Sequence, residues 1–297
     1  MEPLFFSIII PTYNRPEKLA KCLQSVVELD YPRERFEVIV VDDGSQMSLE
    51  DIVFSFRQFI NVTLLRQQNC GPATARNAGA NQAKGKFLAF TDDDCKLEPK
   101  WLTTLARCFV DSENIMIGGY TVNILTNNLY SIASQTLIDY LYKDYDSDTA
   151  EVKFFTSNNF VLTAEGFNSL GGFDTNFPLA AGEDREFCER WQHKGYKMIY
   201  LPEAIVYHSH ELTLTKFLRQ HFNYGRSIFY LQKTRVNRQS GSIKFESITF
   251  YLNLLSYPFR KLKSQQKIFI FGLFILSQAS TTMGLIWEIA YQYNFKN

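Results

Sequence analysis

Three patterns that place a chain in a common class are missing from this sequence. Its five cysteines are odd in number and form no C-x-x-C pair, which argues against a disulfide framework and a cysteine zinc site. No G-x-G-x-x-G follows the first strand-like run, and PTYN at 11 to 14 offers no glycine backbone to a pyrophosphate, which argues against a dinucleotide-binding oxidoreductase. Lysine plus arginine equals aspartate plus glutamate at 31 each, so charge does not favour nucleic-acid binding.

An export signal is also missing from the N-terminal residues. Met1 leads almost directly into the strand-like run from Phe5 to Ile10, without the basic leader, apolar stretch and small-residue cleavage site that such a signal combines. Cysteines without an obvious partner agree with a reducing compartment. We therefore expect the chain to work in the cytoplasm.

The first hundred residues alternate apolar runs with amphipathic stretches. Runs at 6 to 10, 36 to 41, 62 to 66 and 86 to 91 are typical of strands, and helical patterns lie between them. Asn14 and Glu17 resemble a capping box at the start of the first helix. The alternation predicts an α/β fold with a mostly parallel sheet flanked by helices. Further on, we expect loops or a mobile flap from Gly118 to Thr156.

Polar residues follow the strands at their carboxyl ends. PTYN ends the first strand, Asp42 the second, and an acidic triplet the fourth. Ligands of open parallel sheets bind at this edge, so the three strand ends should converge on one crevice. There Asp42 can accept a hydrogen bond from the edge of a nucleobase, and Tyr13 can stack on the base. Arg76 lies on the helix that Gly71 and Pro72 open, and it can reach the base or a phosphate.

The triplet Asp92, Asp93 and Asp94 predicts a metal site. Neighbouring carboxylates repel each other, and a divalent cation removes that cost. Carboxylate oxygens suit Mg²⁺ or Mn²⁺. A solvated acidic turn is the alternative, but the position after a buried strand favours the metal. Along an extended chain, Asp92 and Asp94 point to one side. We therefore assign Asp94 to the metal, Asp92 to a ribose hydroxyl or a metal-bound water, and Asp93 to capping the next turn.

Five segments follow one another between about residues 6 and 210. They read IIIPTYNRPEKLAKCLQSV, EVIVVDDGS, GPATARNAGANQAKGKFLAFTDDD, GGFD and GEDREFCERW. In this order they resemble glycosyltransferase family 2, whose members are inverting enzymes with the GT-A fold. The resemblance implies a Rossmann-like GT-A domain, a nucleotide-diphosphate sugar donor with uridine as the favoured base, and a divalent metal, Mn²⁺ or Mg²⁺, at the triplet. It also implies transfer, with inversion, to a hydroxyl of a glycan or lipid-linked acceptor.

The same resemblance suggests which residues hold the donor nucleotide. Pro11, Tyr13, Asp42 and Arg76 look like base-binding residues. We also assign Asp92 and Asp93 to the residues that bind the donor nucleotide. An exposed helix arginine is the alternative for Arg76.

The last of the five segments supplies a candidate base. Asp184 matches the general base of the family, with Glu183 as its acidic neighbour. A carboxylate in the first turn of a helix is held ionised by the helix dipole, although an ordinary helix-start carboxylate would look the same. His208 resembles the histidine that completes the metal site in relatives more closely than His210 does, and a structural histidine is the alternative.

The composition changes after residue 212. We expect residues 1–212 to form the catalytic domain and 213–297 an aromatic and basic helical region. Its apolar runs Ile248 to Phe259 and Ile268 to Ile289 enclose four cations, as in loops that meet anionic headgroups. The second run approaches the ~20 residues that cross a bilayer, but Gln278 and Glu288 dilute it. We favour contact through 248–289 with the inner face of the cell membrane. The alternative is helical packing on the catalytic domain or a second subunit.

Two functions remain open at this point. The first is an inverting glycosyltransferase. The second is a catalytically silent nucleotide-sugar-binding or scaffold protein at the membrane, which would not need Asp92, Asp94 and Asp184 together.

Overall fold

The chain divides into two compact units. The computed structural model describes residues 3–109, 114–142, 152–177, 181–238, 246–262 and 265–295. The first, which we name the sheet unit, comprises Met1–Ile124, Tyr145–Asn176 and Glu183–Ser209. The second, the helical unit, comprises Leu125–Asp144, Phe177–Gly182 and His210–Asn297. The chain leaves the sheet unit for the last time after Ser209, near the expected boundary at 212. The helical unit also contains two earlier segments.

The elements follow one another along the chain in an α/β order that later becomes helical. The first half contains β1 (Phe6–Thr12), α1 (Pro16–Val27), β2 (Phe36–Asp42), α2 (Glu50–Ser55), β3 (Val62–Arg66), α3 (Pro72–Gln82), β4 (Phe87–Phe90), β5 (Cys95–Leu97), α4 (Trp101–Ala106) and β6 (Ile115–Asn123). The second half contains α5 (Leu129–Tyr142), β7 (Phe160–Thr163), α6 (Ala164–Ser169), α7 (Glu183–His193), β8 (Lys197–His208), α8 (Leu214–Asn237), α9 (Ile248–Lys261) and α10 (Gln266–Phe295).

One mixed sheet forms the sheet unit. Among the described residues it has eight strands in the order β3-β2-β1-β4-β7-β6-β8-β5. The first four run parallel, as the sequence predicts, so their carboxyl ends share one edge. Beyond them β7 is antiparallel to both β4 and β6, while β8 pairs parallel with β6 and antiparallel with β5.

Both faces of the parallel strands are covered, which explains their continuous apolar runs. Every residue of β1 and β2 is buried. On one face Ile8 and Ile10 belong to a core with Leu19 and Leu23 of α1. On the other face Ile39 and Val41 pack with Ala75 of α3 and its neighbours. The parallel strands therefore lie between two layers of helices.

A β-bulge breaks the pairing of β6 with β8 at Gly119 and Tyr120. A Cβ on Gly119 would overlap the carbonyl oxygen of Ala204, so glycine permits this close approach. The side chain of Asn159 compensates for the lost ladder bonds. Its amide nitrogen donates to the carbonyl oxygens of Tyr120 at 3.1 Å and Ala204 at 2.9 Å, and its oxygen accepts from Trp101 Nε1 at 2.9 Å.

Two local predictions are wrong. The expected loops from Gly118 to Thr156 contain most of β6 and all of α5, and residues 143 to 151 of that stretch lie outside the described residues. The glycine pair weakens the strand pattern of β6, and α5 has no clear apolar period, so the sequence predicts neither element. The capping box also fails. Asn14 adopts a φ of 54°, and its side-chain oxygen accepts from the backbone N–H of Gln46, so it does not cap α1.

The helical unit has its own apolar core. Leu137 of α5, Phe217 of α8, Leu254 of α9 and Phe274 of α10 form one buried cluster with their neighbours. The expected runs at 248–259 and 268–289 are both helical, and α10 is longer than its run at 30 residues. The described part contains one helix, Gln266–Asn294, that is long and apolar enough to cross a membrane.

The bulge gives a stability prediction. In Asn159→Leu the carbonyls of Tyr120 and Ala204 and the Trp101 N–H lose their partners, so urea unfolding should show a loss of about 3 kcal/mol or more. Asn168→Leu makes the same change at an exposed position and should stay within about 0.5 kcal/mol of wild type. Equal stability of the two variants would contradict the bridging role of Asn159.

Candidate active site

The parallel strand ends and the start of α7 bring the predicted acidic residues together. Arg76 of α3 joins them: its Nη2 lies 2.7 Å from Asp92 Oδ1, and its Nη1 lies 3.1 Å from Glu183 Oε1. The arginine side chain is only 5% exposed. The bridge places the start of α7, which also carries Asp184, beside Asp92.

Arg76 itself differs from the expectation of a base-binding residue. Both ends of its guanidinium contact carboxylates, and Nε has no hydrogen-bond partner among the described residues. To contact a base or a phosphate as predicted, the guanidinium would have to make a further bond while Asp92 and Glu183 already occupy its two Nη atoms. The structure instead makes it the link between β4 and α7.

The triplet lies differently from an extended strand. β4 ends at Phe90, and Asp93 and Asp94 lie in a turn before β5, so the alternation expected of an extended chain does not apply. Asp92 turns to Arg76. Asp93 accepts a hydrogen bond from Thr12 Oγ1 at 2.7 Å and pairs with Arg15 at 3.1 Å, where capping of the next turn had been expected. Burial raises the pKa of Asp93 to about 6, and Arg15 opposes the shift.

Three cationic or imidazole groups surround Asp94. Arg15 Nη1 lies 3.0 Å and Lys18 Nζ 3.3 Å from Asp94 Oδ2, and His208 Nε2 lies 3.2 Å from Oδ1. Burial alone would raise the pKa of Asp94, but His208, Arg15 and Lys18 together hold it below its usual range. Asp94 is therefore ionised. Neither Arg15 nor Lys18 is among the site residues predicted from the sequence; both lie at the start of α1, which the fold brings to the triplet.

Asp94, Cys95 and His208 carry ligand atoms within 4.8 Å of one another. Burial raises the pKa of the Cys95 thiol well above its usual value, so this side chain stays protonated and is a poor partner for a hard cation. Asp94 Oδ1 and His208 Nε2 fit better. Two neighbouring ligands of an octahedral ion at ~2.1 Å lie roughly 3 Å apart, close to the separation found here. The oxygen and nitrogen pair therefore suits a divalent cation.

Asp42 offers a buried acceptor at the end of β2. Its Oδ1 accepts from the backbone N–H of Ser45 at 2.8 Å. Its Oδ2 is buried and has no hydrogen-bond donor among the described residues, with Arg66 Nε 3.6 Å away. An unsatisfied buried acceptor costs about 1–3 kcal/mol, so it is a position where a ligand N–H would be favourable. Of the other predicted base-binding residues, Tyr13 is exposed and Pro11 is buried within β1.

Asp184 lies in the first turn of α7 and is partly buried. Its Oδ1 accepts from the backbone N–H of Arg185 at 2.7 Å and its Oδ2 from that of Ser157 at 3.4 Å. Burial raises the pKa of Asp184, while these N–H groups and Arg76 oppose the shift. Burial and the charge of Asp184 likewise raise the pKa of Glu183. A carboxylate with a raised pKa is a stronger proton acceptor than one in water.

The fold has solved counterparts. Mannosyltransferase PcManGT from Pyrobaculum calidifontis, solved in complex with GDP-Man and Mn²⁺, gives a TM-score of 0.65 at 16% identity and covers 100% of this chain and 89% of that one. Residues 1–349 of TarS of S. aureus, solved with UDP-GlcNAc, give a TM-score of 0.57 at 19% identity; the match covers 98% of this chain and 92% of that one. The sheet unit is therefore a GT-A fold, the fold of nucleotide-sugar glycosyltransferases.

Sequence comparison identifies the family. The model of glycosyl transferase family 2 matches residues 7–171. Glycosyltransferase AglE of Haloferax volcanii is 27% identical over 228 residues, which cover 75% of this chain and 72% of AglE. A chondroitin synthase of Pasteurella multocida is 31% identical over 237 residues, but these are 68% of this chain and only 24% of the synthase. The chain belongs to glycosyl transferase family 2 and is a glycosyltransferase, as its motifs predict.

The bridge through Arg76 gives a prediction for the site. Arg76→Met leaves Asp92 and Glu183 without their shared cation, so we expect a loss of about 3–5 kcal/mol in urea unfolding. Arg76→Lys keeps the charge but cannot reach both carboxylates in parallel, and it should recover only part of that loss.

Arg107→Met is the matched control, because Arg107 is exposed directly after the end of α4. If Arg76→Met unfolds at the same urea concentration as Arg107→Met, the guanidinium does not hold the two segments together.

Proposed function

We propose that this chain transfers a sugar, with inversion, from a nucleotide-diphosphate donor to a hydroxyl group of a glycan or lipid-linked acceptor. The observation that carries the proposal is the bridge from Asp92 through Arg76 to Glu183. It joins the strand end that would meet the donor to the helix that presents the candidate base Asp184. A silent binding protein would have no use for this connection.

The nucleotide would lie at the ends of β1 and β2. The free Oδ2 of Asp42 would accept a hydrogen bond from the base, and the exposed ring of Tyr13 would stack on it. We propose uridine, whose imide N–H suits a single carboxylate oxygen. TarS was solved with a UDP-sugar and PcManGT with GDP-Man, so both kinds of donor occur on this fold.

The diphosphate would meet the group around Asp94. Asp94 and His208 are the residues that would hold Mn²⁺ or Mg²⁺, and PcManGT was solved with Mn²⁺. A bound divalent cation supplies a Lewis acid that stabilises the charge of the departing diphosphate. Arg15 is about half exposed, so its guanidinium can also approach a phosphate oxygen while it pairs with Asp93 and Asp94.

Asp184 would act on the acceptor. Its carboxylate takes the proton of the acceptor hydroxyl, the hydroxyl oxygen bonds to the anomeric carbon from the opposite face, and the bond from that carbon to the diphosphate breaks. The electron pair of the broken bond leaves with the nucleoside diphosphate.

All five cysteines are unpaired, which supports the cytoplasm as the compartment in which the chain acts.

The metal role of Asp94 can be tested by calorimetry. Asp94→Asn removes the ionised oxygen that would face the cation, so the gain in donor affinity on adding Mn²⁺ should fall at least about tenfold. Asp51→Asn, at an exposed position on α2, should keep the full gain. Metal-dependent affinity that survives in Asp94→Asn would rule out this site.

The base can be tested separately from binding. Asp184→Asn should bind UDP-sugar with an affinity within about twofold of wild type, because Asp184 would face the acceptor. Its transfer rate should fall by about 100-fold or more, since removal of a general base commonly costs 10²–10⁴. Glu165→Gln, exposed on α6, should transfer at the wild-type rate. Full transfer by Asp184→Asn would show that another group takes the proton.

A further inference from the structure

The outward face of α10 is apolar along nearly its whole length. Between Ile268 and Ala290 it exposes eleven residues, of which ten are apolar: Ile268, Phe269, Ile275, Leu276, Ala279, Met283, Ile286, Trp287, Ile289 and Ala290. The eleventh is Thr282, whose hydroxyl donates within the helix to the carbonyl oxygen of Gln278 at 2.9 Å. At 1.5 Å per residue this face is about 33 Å long. A surface in water rarely keeps an unbroken apolar strip of this size.

Several polar side chains of the same helix point inward. Glu288 is fully buried, and its two oxygens accept from Arg226 Nε and Tyr230 Oη of α8, both at 2.7 Å. Gln292 donates to Glu288 at 2.7 Å, and Ser280 donates to the Leu218 carbonyl oxygen at 2.8 Å. Helices of water-soluble proteins normally show the opposite arrangement. The charged group of this part of α10 is therefore satisfied within the helical unit, and the exposed face is left apolar.

The contact with α8 argues against a crossing of the bilayer by α10. The two helices approach closely, because a Cβ on Gly225 would overlap the Thr281 carbonyl and one on Gly284 would overlap that of Phe222. α8 carries five lysine and arginine side chains along its length: Lys216, Arg219, Arg226, Lys233 and Arg235. A helix that packs along such a partner cannot enter the hydrocarbon core without taking those charges with it.

Cations and aromatic rings mark the ends of the apolar face. Arg260 and Lys261 lie at the end of α9, and Lys267 follows at the start of α10. At the other end the rings of Trp287 and Tyr291 stack with centroids 5.0 Å apart. Cations next to an apolar helix face suit anionic headgroups, and tryptophan and tyrosine are enriched at the membrane interface.

We propose that α10 lies in the plane of an anionic lipid bilayer, with its outward face in the acyl boundary and its inward face held by α8. The arrangement is that of an interfacial helix, which binds through one apolar face and nearby cations. It does not depend on the transfer reaction. It also refines the expected contact through 248–289, because α10 supplies the apolar face and Arg260, Lys261 and Lys267 supply the charges.

Flotation of the full chain with vesicles tests the surface. Wild type should float with phosphatidylcholine and phosphatidylglycerol vesicles at 7:3, and less with phosphatidylcholine alone. Ile275→Glu/Met283→Glu places two charges on the outward face and should reduce the floating fraction at least about tenfold. Thr215→Glu/Val236→Glu adds the same charge at exposed positions of α8 and should float as wild type does. Melting curves check that both variants fold.

Wild type that stays at the bottom with every vesicle, or a double variant of α10 that floats normally, overturns the proposal. A second copy could cover the same face instead. In that case light scattering would show a dimer that Ile275→Glu/Met283→Glu converts to a monomer, and neither protein would float.

Depth-dependent quenching distinguishes lying from crossing. Trp101 and Trp191 are fully buried, so quenching by doxyl lipids reports on Trp287. A helix in the plane should be quenched more by 5-doxyl than by 12-doxyl lipid, both at Trp287 and at a tryptophan placed mid-helix in Leu276→Trp/Trp287→Phe. Stronger 12-doxyl quenching at the mid-helix position would show that α10 crosses the bilayer and would refute the in-plane arrangement.

Discussion

The arrangement of the candidate active site depends on one buried guanidinium. Asp92, Glu183 and Asp184 come from segments about ninety positions apart, and without a cation between them their charges would repel in a poorly hydrated space. Arg76 offsets that repulsion and fixes the start of α7 beside the end of β4. The remaining charges follow the same rule. Arg15 and Lys18 neutralise Asp93 and Asp94, so the edge of the sheet carries many carboxylates at a tolerable electrostatic cost.

The helical unit repeats this solution for a different purpose. Arg226 of α8 holds the fully buried Glu288 of α10, and the close contacts at Gly225 and Gly284 bring the two backbones together. By satisfying polar groups of α10 on its inner side, α8 leaves an outer side on which Thr282 is the one polar residue between Ile268 and Ala290. A buried ion pair of this kind adds little net stability compared with an apolar contact. It favours one orientation of the helix, because a rotation that turned Ile275 inward would carry Glu288 away from Arg226 and Tyr230.

Much of the sheet unit could be read from the sequence. The four parallel strands, the family and the acidic strand ends follow from apolar runs that end in short polar motifs. Features that depend on residues far apart in the chain could not be predicted from the sequence. The glycine pair in β6 makes a poor strand pattern, and its bulge is rescued by Asn159 from a distant part of the chain. Arg15 and Lys18 looked like ordinary residues at the start of α1, because only the fold shows that β5 and β8 bring Asp94 and His208 to them.

The sequence by itself determined the class of fold, the family and which carboxylates lie at strand ends, since each of these depends on residues close together in the chain. The tertiary structure decided which partner each charge meets. Arg76 had been expected at the nucleobase, yet packing of α3 against the sheet turns it to Asp92 and Glu183. The inward direction of Glu288 was equally undetermined, because hydropathy averages over all faces of a helix. Only the position of α8 defines which face of α10 is covered.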